Sequence, residues 1–252
     1  MRLLLDGSGG FAGDMFTAAL IDAGADIEAV KHNMMTTGKK LGDLKIDLSR
    51  SGDGSSQLNI SLAARHDHIL AAKVVNMLDE SFEELKTGTI YREFGHRVLD
   101  ILISAENEAH KLHVFDRLNQ HHGHKHEGTV LHEAQDILID IIGSATAMES
   151  LGVSPEASLF APVRTGSGTV EFSHGILDVP APATRIILEK YNIEWKKGPV
   201  DTELCTPTGA SLLAAIITPG EKRRPAECHV SAGGSSRGSK ILPIPPLKIY
   251  IV

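Results

Sequence analysis

The stretch LHEAQDILIDIIGSATAMESL, residues 131–151, decides the fold, because two incompatible faces share its predicted helix. Ala134, Ile137, Leu138, Ile141, Ile142, Ala145 and Met148 recur at the three-and-four spacing of a buried helical stripe. His132, Asp136 and Asp140 follow at intervals of four and stack along a second side, which Gly143, Ser144 and Ala147 continue with small residues. Two carboxylates and an imidazole beside apolar surface are costly to desolvate unpaired, so this side calls for a cation, a basic partner or a water-filled cleft. Small residues would admit a close approach. The competing reading is a partly solvated side whose three polar residues meet only water.

Working outward from that helix, the preceding segment FDRLNQHHGHKHEGT (115–129) carries His121, His122, His124 and His126 in a polar, glycine-containing loop. Imidazoles at this density suit nickel, copper or zinc, and a linker with adventitious metal affinity is the alternative. Residues 89–113 are the longest periodic segment, with Ile90, Phe94, Val98, Ile101, Leu102, Ala105, Ala109 and Leu112 as its stripe, and should pack against the opening helix. Before it, His66-Asp67-His68 sits at the start of a helix through about Leu78, a pair of histidines more readily read as surface than as metal ligands. Residues 45–48 and 57–62 alternate like two strands of a hairpin, behind a short helix at 26–35.

The chain opens with a short buried strand at 2–6, the turn GSGGFAG (7–13) and a helix from Asp14 through about Ala23. The glycine spacing misses both nucleotide fingerprints, so Gly10 and Gly13 are only weak candidates for cradling a phosphate. Asp6 is the better candidate, since a carboxylate at a strand's C-terminal end faces the place where open α/β sheets bind ligands. Asp14 is read equally as a ligand-facing carboxylate or as a helix N-cap.

On the other side of the central helix, strands are expected at 158–163, 169–172 and 176–179, with His174 in the intervening turn, and prolines 180 and 182 open the helix ATRIILEKY. Thr206-Pro207-Thr208-Gly209 reads as an N-cap and first turn ahead of GASLLAAII. Such helix starts favour an anion, although most capped helices bind nothing. The tail offers an alternating run at 226–231, a flexible GGSSRGSK loop and a closing strand at 247–252.

Of the 252 residues 42% are hydrophobic and only 4% aromatic, so the core is built from Ile, Leu, Val, Ala and Met. A net charge of −7 argues against a nucleic-acid binder. Two cysteines, Cys205 and Cys228, indicate neither a disulfide framework nor a zinc knuckle. No run approaches membrane-spanning length and no signal-peptide segment stands at the start, which predicts a soluble cytoplasmic protein. The expected fold is mixed α/β, a mixed sheet flanked by three long helices, with an N-terminal lobe at 1–157 and a second, smaller lobe at 158–252.

Four blocks in order resemble the LarC family, the nickel-insertion proteins of nickel-pincer cofactor biosynthesis. They are DGSGGFAGDM (6–15), HEAQDILIDIIG (132–143), GSGTVEFSHGILDVPAPAT (166–184) and ELCTPTGASLL (203–213). The resemblance implies CTP-dependent insertion of nickel into pyridinium-3,5-bisthiocarboxylic acid mononucleotide, a lyase-type cyclometallation forming nickel–sulfur and nickel–carbon bonds. Under it, His132, Asp136 and Asp140 would hold metal, Mg²⁺ or Mn²⁺ would accompany CTP, the histidine tract would deliver nickel, and Gly10, Gly13, Thr206, Thr208 and Gly209 would seat the nucleotide. Asp6, Asp14, Glu133 and His174 are the expected catalytic groups. A base must take the pyridinium C–H proton, and Glu133, Asp136 or His174 could serve by residue type. The sequence departs from the family pattern at Gly7, Gly9 and Val130 and is shorter between Glu133 and Asp136. The family's CTP-binding domain would follow the last residue here, so a separate CTP-binding chain is an expected partner, while homo-oligomerisation is left open. A nickel storage or delivery protein is the alternative, and a hydrolase using the clustered acids a weaker third.

Overall fold

Three consecutive leucines begin the fold: β1 (Leu3–Asp6) is buried at Leu3, Leu4 and Leu5, as a strand covered on both faces must be. One turn of 3-10 helix (Gly7–Gly9) leads to α1 (Gly13–Asp22), and α2 (Ile27–Gly38) follows, capped by Asp26 Oδ1 accepting from the backbone N–H of Glu28 and Ala29. The hairpin is present and longer than the alternation suggested: β2 (Gly42–Arg50) pairs antiparallel with β3 (Ser56–Ala64). After β4 (His68–Leu70) come α3 (Ala71–Leu85), α4 (Thr89–Lys111), β5 (Val130–His132) and α5 (Ile137–Leu151). Four short strands follow, β6 (Ala157–Ala161), β7 (Val163–Gly166), β8 (Thr169–Phe172) and β9 (Gly175–Asp178). The chain continues through α6 (Pro182–Lys190), β10 (Trp195–Lys197), α7 (Pro207–Ile216), β11 (Ala232–Ser236) and β12 (Leu247–Ile251). This computed structural model describes residues 1–64, 68–111, 130–132, 137–172, 175–218, 220–221 and 223–252.

The mixed α/β class expected from the sequence is the fold observed. A six-stranded sheet runs in the order β2-β3-β11-β12-β1-β6, with β1 parallel to β6 and antiparallel to β12. Two-stranded pairs β10-β7, β4-β5 and β8-β9 lie outside it. Strands from both ends of the sequence thus share one sheet, and one continuous core joins its apolar side chains to those of α1, α4, α5 and α7.

The central helix differs from the expected one. It begins at Ile137, and Val130–His132 is strand, paired through His132 with His68 and through Val130 with Leu70. His132 therefore does not stack on Asp140 along a helix. Nor is the helix two-faced: every residue from Ile137 to Met148 is buried, as in a helix surrounded by others. Its small residues admit neighbouring helices. A side chain at Gly143 would collide with Met34 of α2 and Thr17 of α1, and Ser144 Oγ shares a 3.1 Å hydrogen bond with Thr17 Oγ1.

Two other expectations are corrected. The long helix α4 packs on α5, α6 and α7 rather than mainly on α1. In the tail, the alternating run at 226–231 contributes a 3-10 turn (Pro225–Glu227), while the segment read as a flexible glycine loop contains β11. Glycine there permits contact: a Cβ on Gly234 would strike the Ala19 carbonyl of α1. Among the described residues no helix is long and apolar enough to cross a membrane.

Candidate functional site

The glycine turn after β1 is where distant parts of the chain converge. Gly10 adopts φ +90°, left-handed space that only glycine enters freely, and the Leu204 carbonyl fills the position of its missing side chain. Phe11 N–H donates to that carbonyl at 2.8 Å and Thr206 N–H donates back to the Phe11 carbonyl at 3.2 Å, so residues 10–12 run against 204–206 as a short parallel bridge. Gly209 lets the first turn of α7 rest directly on the Phe11 and Ala12 backbone. Two helix starts, those of α1 and α7, are brought together by contacts that leave no room for Cβ atoms.

A cleft of about 210 Å³ opens beside this junction, lined by Asp14, Glu203, Thr206, Arg237, Ser239 and Lys240 among others. It falls below the roughly 300–1,000 Å³ of sites that engulf a small molecule, so it accommodates the reacting part of a ligand with the remainder at the mouth. Both signs of charge line it. Lys240 Nζ donates to Thr202 Oγ1 at 2.7 Å, and Arg237 donates to Asp53 through Nε at 2.7 Å and to the Ile244 carbonyl at 2.6 Å. The Arg237 guanidinium, with the Ser51 hydroxyl and the Ser55 N–H, holds the Asp53 carboxyl well below the usual carboxylate range.

Glu203 is the unsettled group. It sits opposite Gly166 in an isolated antiparallel bridge, and its Oε1 is buried with no hydrogen-bond partner among the described residues. Burial pushes its carboxyl up to about 7, with Lys240 pulling it down. Next to it, the wholly buried Cys205 thiol is driven upward by burial and by the Glu203 charge, so it stays protonated and is a poor nucleophile or metal ligand.

The sequence-predicted residues divide into three groups. Asp14, Gly10, Gly13, Thr206, Thr208 and Gly209 all lie at this junction, and Asp140 reaches it from α5, its carboxylate resting against Gly13. Asp14 is in the first turn of α1, whose N-cap is Ala12, so it is not the cap. Its Oδ1 accepts from Met15 N–H at 2.8 Å. Thr206 is the expected N-cap, with Oγ1 accepting from Gly209 N–H at 3.0 Å. Asp6 belongs to the turn instead, where its Oδ1 accepts from the backbone N–H and hydroxyl of Ser8. Glu133, Asp136, His174 and His121, His122, His124 and His126 lie outside the described residues, as does the side chain of His132. Among the described residues no group of three His, Cys, Asp or Glu side chains could hold a metal ion, so the Mg²⁺ or Mn²⁺ expected with CTP has no ligand set there.

Sequence reasoning missed Glu203, Arg237 and Lys240. The signal for Glu203 was an acid beside the apolar pair Leu204-Cys205 and three residues before an N-cap, a position that burial makes unusual. Arg237 and Lys240 were passed over because their segment read as loose.

Residues 3–250 match the family described as nickel insertion protein. A protein of Methanothrix thermoacetophila is 38% identical over 97% of this chain and 57% of its own length. Proteins named pyridinium-3,5-bisthiocarboxylic acid mononucleotide nickel insertion protein are similar too. That of Staphylococcus saprophyticus is 34% identical over 86% of this chain and 51% of its own, and that of Staphylococcus epidermidis 31% over 86% and 50%. The chain thus spans about half the length of these curated relatives. No solved structure matches it.

Proposed function

The chain belongs to the nickel insertion protein family, and from that premise we propose that it inserts Ni²⁺ into pyridinium-3,5-bisthiocarboxylic acid mononucleotide at the cleft between α1, residues 203–206 and residues 237–245. The observation that carries this reading is the cleft's pairing of Asp14 and Glu203 with Lys240 and Arg237. A pyridinium mononucleotide is itself bipolar, a cationic ring joined to an anionic phosphate. Carboxylates suit the ring and cations the phosphate.

The chemistry follows from the substrate. Thiocarboxylates at ring positions 3 and 5 place two sulfurs on either side of carbon 4, so a nickel ion held by both lies against that carbon. Nickel is a reactant here. The reaction consumes CTP, and the CTP site is supplied by a separate chain or domain; support for this comes from the family resemblance and from relatives about twice as long. The cleft's own task is to orient the ring, with Asp14 beside it and Thr206 fixing the start of α7.

The test incubates the full chain with Ni²⁺, the mononucleotide, CTP and the CTP-binding partner, and follows the mononucleotide by mass spectrometry. Insertion gives a species that has gained nickel and lost protons. Nickel bound to protein with the mononucleotide unchanged would favour storage or delivery and overturn insertion.

A further inference from the structure

We infer that Glu203 is the proton acceptor of the insertion step, the catalytic residue that removes hydrogen from ring carbon 4 as nickel closes on it. The assignment rests on the proposed insertion reaction and on three features of the cleft. Glu203 lines it. Its Oε1 is shielded from water and accepts no hydrogen bond among the described residues, although buried carboxylate oxygens are ordinarily satisfied. Its backbone is pinned on both sides, by the bridge to Gly166 and by Leu204 N–H donating to the Thr165 carbonyl at 3.0 Å, so the side chain has a fixed origin.

The step balances without an oxidant or reductant. The carbon–hydrogen bond breaks heterolytically, its electron pair becomes the carbon–nickel bond, its proton passes to the Glu203 carboxylate, and nickel remains divalent. A desolvated carboxylate suits the task because protonation removes a charge from a place that disfavours it. The charged and titratable groups facing it are Asp14 from α1, Arg237 and Lys240 from the segment between β11 and β12, and the protonated Cys205 before α7. Lys240 stabilises the ionised form, so the acceptor is available near neutral pH, where its carboxyl titrates at about 7.

The experiment compares wild type, Glu203→Gln and Glu203→Asp in single-turnover nickel insertion across pH 5.5–9 (a range of about 3.5 units centred on the working pH of a general base), with CTP and the partner present. Mononucleotide and Ni²⁺ affinities are measured calorimetrically on the same samples. The wild-type rate rises through a midpoint near neutrality; Glu203→Gln loses about 100-fold or more in rate and loses that midpoint while binding both reactants within about threefold. Glu203→Asp recovers part of the rate with a displaced midpoint. Wild-type rate in Glu203→Gln, or a loss lying wholly in affinity, overturns the assignment while insertion itself stands. Absence of any nickel-bearing product with wild type overturns the functional reading and the assignment with it. Thermal unfolding of each variant separates misfolding from lost chemistry, and Glu203→Asp decides the matter if Glu203→Gln does not fold.

Discussion

Asp140 of α5 occupies the space into which a side chain on Gly13 of α1 would project. Both residues lie in the first turn of their helices, so an acid buried to 5% exposure sits where two helix starts meet. Partial positive charge at those starts favours it.

Gly13→Ala tests that packing. Alanine gains up to about 1 kcal/mol over glycine within a helix, whereas overfilling a packed site costs about 1–3 kcal/mol. The contact involves a carboxylate and its Cβ on a buried helix, so overfilling wins. Urea titration is expected to show a net loss of about 1–2 kcal/mol. Unchanged stability would mean that Asp140 swings aside at no cost.

Thr206→Ala removes the cap of α7 and should cost about 1 kcal/mol, while Thr206→Ser retains most of it. Because the same residue lines the cleft, the alanine variant should also bind the mononucleotide more weakly. Equal stability of the two variants would show that the Phe11 bridge alone holds the helix start.

Glu106 gives the protein a pH dependence unrelated to the cleft. Only burial acts on this carboxyl, raising it from 4.5 to about 7 in the folded chain. A raised folded value means the contribution to stability is complete below pH 4.5 and is lost as pH climbs to 7. The shift corresponds to at most about 3 kcal/mol. Glu106→Gln should therefore match wild type near pH 4 and exceed it near pH 8, by thermal unfolding followed with circular dichroism. Glu203 acts in the same direction, so the variant keeps part of the slope. A difference independent of pH would show that Glu106 is ionised in the native state.

Lys240→Gln removes the charge that draws the Glu203 carboxyl downward. The midpoint of the pH–rate profile should move upward, reducing the rate near pH 7 and leaving it nearly intact in alkaline buffer. A downward or absent displacement would place Lys240 outside the electrostatic reach of Glu203.

Much of the architecture was legible because local signals and burial agreed. The leucines of β1, the Asp26 cap, the hairpin and the Thr206-Pro207 start of α7 each state their structure within a few residues. Residues 131–136 misled because an apolar-periodic run can extend a helix or supply a short strand, and pairing with His68–Leu70, more than sixty residues earlier, settles which. The segment 233–240 misled in the opposite sense: glycine and serine signal loop on their own, yet here they let β11 lie against α1. Glu203 was invisible because nothing in its neighbours along the chain tells how much water reaches it.

The place of β12 in the sheet, between β1 and β11, bears on how the molecule is made. On the ribosome Leu3, Leu4 and Leu5 emerge roughly 10–50 s before the strand that will flank them, at ordinary rates of synthesis. Until then an apolar edge waits uncovered, open to pairing with another nascent chain. Chaperone supply during translation should therefore govern yield more than the strength of any single contact in the finished protein.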